Sequence, residues 1–120
     1  MPWGDNKRQA FLRRISTIGG GAREDVQMIL GSIVCDLRDM VERAVFQEEE
    51  MDTVVAFHDQ TEAFWRRTMA TTPPLDPALM LAGLKRLRES CGEPLAGFAP
   101  RLDHAMERAR LLAKRKAELH

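Results

Sequence analysis

The residues of this 120-residue chain that could do chemistry are few: three histidines, two cysteines and a spread of carboxylates. In "AFHDQTEAFWRR", Ala56 to Arg67, His58 precedes Glu62 by four positions, so on a helix the two share a face. Such a pair can bind a metal inside a helical bundle, but a carboxylate-bridged di-iron centre needs about six inward ligands from several helices. Beyond His58 the chain offers only His104, near Glu107, and the terminal His120. No metal or other cofactor is expected. His58 and Glu62 are instead read as a polar pair at the edge of an apolar stripe, with Asp59 as a second nearby carboxylate. Nucleophilic catalysis has no better footing. There is no Gly-x-Ser-x-Gly elbow, and Cys35 sits within a hydrophobic stripe, where a thiol tends to be inert. Cys35 and Cys91 are far apart, no CxxC occurs, and both are read as reduced, partly buried thiols. "IGGGARE" lacks the Lys-Ser/Thr of a phosphate-binding loop and no strand precedes it. No catalytic residue is assigned, and the chain is read as a non-enzyme.

Two stretches resemble known families. His58, Asp59 and Thr61 resemble the start of the phospho-accepting helix of two-component kinases, although Glu62 stands where that family places Thr or Asn. The likeness would imply phosphotransfer through His58. "LKRLRESCGEPLAGFAPRL", Leu84 to Leu102, resembles the first two helices of phage-repressor-type helix-turn-helix domains. The shared pattern is Leu87-Arg88-Glu89, Gly92, Phe98-Ala99 and Arg101-Leu102, and it implies DNA binding. Pro94 occupies the family's cap position, Pro100 falls inside its second helix, and "DHAMERARLL" lacks a polar recognition helix.

The elements that must position these residues read as helices throughout. From Asp5, Phe11, Leu12, Ile15 and Ile18 fall at helical spacing among Lys7, Arg8, Arg13 and Arg14. The glycines at 19–21 should stop that helix, because their backbone entropy disfavours a helix interior. A second helix is expected from about Ala22, on Val26, Leu30, Ile33, Leu37, Met40 and Ala44, widened by Ile29, Val34, Val41 and Val45. Neither proline nor glycine occurs from Ser32 through Thr72. Residues 22–70 are therefore one long helix or a helical hairpin, with a break preferred near "QEEEMD", Gln47 to Asp52, and Asp52 capping the second half. Asp76-Pro77 marks the next start, since proline suits the first helical position, and Gly92 a plausible end. The fold class is all-α: four to five helices in an antiparallel bundle, or a long helical hairpin with C-terminal helices at 77–91 and 100–118 packed on it. It forms one domain over 1–120.

With 44% apolar and 30% charged residues the composition is that of an ordinary globular chain. No apolar run is long enough to span a bilayer, and the first residues have no apolar signal core, so a cytoplasmic protein away from membranes is expected. The formal net charge of zero conceals segregation: about +4 over 1–23, about −9 over 24–62 and about +5 over 63–120. Packing basic helices on acidic ones is the preferred explanation. Arg101, Arg108, Arg110, Lys114, Arg115 and Lys116 are the candidate contacts to nucleic acid or to an acidic partner. The functional expectation is a protein–protein interaction module: an adaptor, accessory subunit or inhibitor of a larger protein. A DNA-binding regulator is the alternative and an enzyme with an unrecognised site the third reading. A homodimer is also expected, because a second copy could cover the flanks of the wide stripe.

Overall fold

The computed structural model describes residues 20–119, so the expected helix over 5–18 and His120 lie outside the described residues. Four α-helices occur among the described residues, in chain order: α1 (Gly20–Glu42), α2 (Met51–Met69), α3 (Pro77–Glu89) and α4 (Ala99–Leu119). Single 3-10 turns at Glu48–Glu50 and Ala96–Phe98 lead into α2 and α4. Among the described residues there is no strand, only one isolated bridge between Thr71 and Pro74. Helices adjacent in the chain are neighbours in space, and α4 returns against α1. Every neighbouring pair runs antiparallel. Gln27 meets Thr68 while Arg38 meets His58, and Asp25 meets Arg108 while Asp36 meets Arg101. At the other edge Asp76 meets Lys116 and Arg88 meets Asp103. The arrangement is an up-down-up-down bundle, as the helical periods and short connections predict.

The stripe on α1 supplies the centre of the core. Val26, Leu30, Ile33 and Leu37 form one buried cluster with Val54 and Phe57 of α2, Met80, Leu84 and Leu87 of α3, and Leu102, Ala105 and Ala109 of α4, and Val34 is also buried. Leu95 and Phe98 close the end beneath the second 3-10 turn, with the Phe57 and Phe98 rings stacked 6.2 Å apart. Each fully buried aliphatic side chain contributes roughly 1.5–3 kcal/mol of transfer free energy. The α1 seam is thus covered within one chain, by α2 and α4 together.

Several boundaries differ from the sequence reading. Gly20 and Gly21 belong to the first turn of α1, two residues earlier than expected. At a helix end their entropy cost is confined to one turn, and amides there lack helical partners in any case. The break between α1 and α2 is real but wider than expected. Glu50 is the N-cap of α2, and Asp52 lies in its first turn rather than at the cap. There its charge still complements the helix dipole. α3 ends at Glu89 with Ser90 as its cap, before Gly92, while Asp76 and Pro77 start it as expected. Pro100 is the second residue of α4, where its missing N–H breaks no hydrogen bond.

The end of α1 determines what lies at its mouth. Ala44 N–H donates to Val41 O and Val45 N–H to Met40 O, and Ala44 has φ 56°. This is a Schellman closure with alanine at the left-handed position that glycine usually fills. The helix therefore stops at Glu42, and the stripe extrapolated to Ala44 and Val45 does not enter the core. Val45 is 55% exposed and Val41 38% exposed.

Candidate functional site

His58 sits on the second turn of α2, on the side that faces α1. Arg38 of α1 reaches it across the antiparallel pair. Arg38 Nε donates to His58 Nε2 at 2.9 Å, and Arg38 Nη2 is paired with Glu62 Oε2. His58 Nε2 is therefore the accepting nitrogen, which assigns the ring proton to Nδ1, 3.0 Å from Asp59 Oδ1. The expected partner Glu62 shares the face, but its carboxylate is 3.7 Å from His58 Nε2, outside hydrogen-bonding range. Glu62 instead gathers Arg38 and, at 3.1 Å, Arg66. Both imidazole nitrogens and the Glu62 carboxylate are occupied by neighbouring side chains. The cluster joins two helices. Arg38 is the partner the sequence reading missed. It lies about as far before the 47–50 turn as His58 and Glu62 lie after it, a symmetry visible once the hairpin is assumed.

Beside this cluster the hairpin opens. Leu37, Val41, Met51, Val54 and Val55 line a groove of about 340 Å³ between the last turns of α1 and the first turns of α2, rimmed by Arg38, Glu42 and His58. Val55 is 49% exposed, so two of the groove's aliphatic side chains, Val41 and Val55, face water, and Val45 is exposed just beyond them. Among the described residues the other large exposed apolar side chains are Met28, Met69 and Leu79, none of which lines the groove. Glu42 is on the groove's rim, Glu48 and Glu49 follow on the connection beyond it, and Asp52, on the first turn of α2, faces a separate depression toward Ser90; all four are exposed. None of the four has an ion-pair partner among the described residues. Nearby positive charge is already engaged, Arg38 by Glu62 and Arg43 by Asp39 at 3.1 Å.

The six basic candidates do not share one face of α4. Arg101, Arg108 and Arg115 recur every seven residues and form one stripe, whereas Arg110 and Lys114 lie on the opposite side. Arg101 pairs with Asp36 at 2.6 Å and stands 5.6 Å over the Phe98 ring. Arg108 lies 2.9 Å from Asp25, at an angle short of a hydrogen bond, and Lys116 donates to Asp76 at 2.9 Å. Basic α4 thus packs on acidic α1, and its Lys116 reaches the Asp76 cap of α3. In the stretch resembling a helix-turn-helix, α4 runs unbroken to Leu119 alongside α3, held by Arg88 to Asp103 at 2.8 Å and Lys116 to Asp76. A separate recognition helix after a short turn does not occur there.

Cys91 is buried and Cys35 exposed, both as free thiols. Cys35 corrects the sequence reading: it lies on the α1 face away from the core, between Val34 and Asp36. Burial pushes the Cys91 thiol up; Arg88 opposes the shift and Asp103 adds to it. Among the described residues no group of three His, Cys, Asp or Glu side chains could hold a metal ion, and no helix is long and apolar enough to cross a membrane. Compared with protein-family models, with curated proteins and with solved structures, the chain matches none.

Proposed function

We propose that the chain is a protein–protein interaction module of the cell interior that receives a partner's helix in the groove between α1 and α2, as an adaptor, accessory subunit or inhibitor would. The observation that carries this reading is the groove itself: an apolar cleft with two partly exposed valines, walled by α1 and α2, with Glu42 on its rim and Glu48 and Glu49 exposed on the connection beyond it. Amphipathic helices dock in such clefts through apolar side chains repeating at three and four residues. His58 is engaged by Arg38 and Asp59, and Arg101, Arg108 and Lys116 are ion-paired with acidic residues of α1 and α3. Affinity capture from the native cell, with nuclease treatment in parallel, tests the reading. A protein held by the native chain should be lost with Val55→Lys and retained with Arg110→Glu/Lys114→Glu. Capture indifferent to Val55→Lys, or abolished by nuclease, would overturn it.

A further inference from the structure

We infer that in the isolated protein this groove is filled by residues 5–18 of a second copy of the chain. The inference rests on the groove being a docking surface, as proposed above, and names one occupant for it.

Charge selects the occupant. A second copy docking groove to groove would bring Glu42, and Glu48 and Glu49 on the connection next to it, toward their own equivalents, while Arg38 and Arg43 beside them are already engaged. A complementary segment must be basic and apolar on one face. The sequence "DNKRQAFLRRISTI", residues 5–18, has that pattern. Phe11, Leu12, Ile15 and Ile18 fall on one helical face, flanked by Lys7, Arg8, Arg13 and Arg14. Phe11 to Ile18 covers about 10 Å of helix, the same length as the groove wall from Met51 to His58.

Reach decides between the chain's own groove and a neighbour's. Leu37 lies about 25 Å from Gly20 along α1, and Glu42 about 33 Å. A helical segment of 14 residues joined at Gly19 extends only about 21 Å. Folded back along its own α1, it would leave Phe11 to Ile18 well short of Val41 and Val55. A second copy carries no such restriction, and reciprocal exchange closes a two-fold dimer with both grooves filled. Self-association would then compete with the foreign partner for the same surface.

The test uses full-length chains. Light scattering at micromolar concentration should give a dimer for the native protein, weakening as salt rises because the contacts are charged. Val41→Lys/Val55→Lys and Leu12→Asp/Ile15→Asp should each weaken the dimer about tenfold or more, the effect of losing the burial of one aliphatic side chain. Mixing the two variants should restore a heterodimer, because one intact groove then meets one intact segment. A synthetic 5–18 peptide should bind the native chain and not the groove variant, and unchanged helical circular dichroism excludes misfolding as the cause. A monomeric native protein overturns the inference, and so does a dimer that survives either double variant. A monomer that still captures a foreign protein through Val55 leaves the proposed function standing, whereas loss of both removes both.

Discussion

Ala44 offers the sharpest test of how the mouth of the groove is built. Its φ of 56° and the two hydrogen bonds, Ala44 N–H to Val41 O and Val45 N–H to Met40 O, close α1 with an L-residue in the left-handed region. That region costs an L-residue roughly 1–2 kcal/mol. Glycine removes the cost but gives the unfolded chain about 0.4–1 kcal/mol of extra entropy. Ala44 makes no core contact, being exposed, so no burial is lost. Ala44→Gly should therefore stabilise the protein by about 0.5–1 kcal/mol, a rise in Tm of roughly 2–5 °C for a chain of this size. Urea unfolding followed by far-ultraviolet circular dichroism measures this, with the midpoint rising and the slope unchanged. A control, Ala44→Val, should destabilise, because a β-branched residue tolerates positive φ least. If Ala44→Gly is neutral or destabilising, α1 does not end in this closure, and the exposure of Val41 and Val45 loses its explanation.

Three further outcomes are expected from the packing. A Cβ built on Gly83 would overlap the Phe64 ring, so Gly83→Ala should destabilise by about 1–2 kcal/mol after the helix-propensity gain is deducted, and much less in a Phe64→Leu background; a double-mutant cycle by urea titration checks this. Cys35 should react with a thiol reagent in the folded protein while Cys91 waits for unfolding. Because burial raises the Cys91 pKa, its stabilising contribution is full below the unfolded thiol's pKa and declines as pH rises through the folded value; a Cys91→Ala variant should lack that alkaline decline in stability. Arg38→Met should cost less than about 1 kcal/mol, and less still at high salt, since Arg38 is half exposed and its pairs are screened; a larger, salt-independent loss would contradict a surface clamp.

The legible part of the sequence was periodic. Val26, Leu30, Ile33 and Leu37 step at helical spacing and are all buried, and Asp76-Pro77 marks the start of α3. The same extrapolation failed within two turns of Leu37. α1 ends through an alanine in a conformation that alanine rarely takes, and nothing in "MVERAVF" announces it. Gly31, inside the α1 stripe, is a residue that by itself disfavours a helix interior. In space it admits Trp65, whose Cζ2 would stand 3.0 Å from a Cβ at that position. The charge pattern was legible in outline, since acidic α1 and basic α4 do pack together. Its pairings were not, because Asp36 meets Arg101 only through the antiparallel return of α4. For the same reason the His58 cluster was half visible: Glu62 shares the helix, while Arg38 arrives from another. The groove was invisible, because an exposed valine and a buried one read alike until the helix end is known.

The central claim is that the cleft between α1 and α2 is where this protein meets its partner. Photo-crosslinking inside the native cell tests it most directly, with the reactive side chain placed in turn at Val41, Val55, Met28 and Leu79. The last two are as exposed as the first two or more so, and lie elsewhere. The account predicts discrete protein adducts at Val41 and Val55 and none at Met28 or Leu79. Equal labelling at all four positions, or adducts only at Met28 or Leu79, would contradict it.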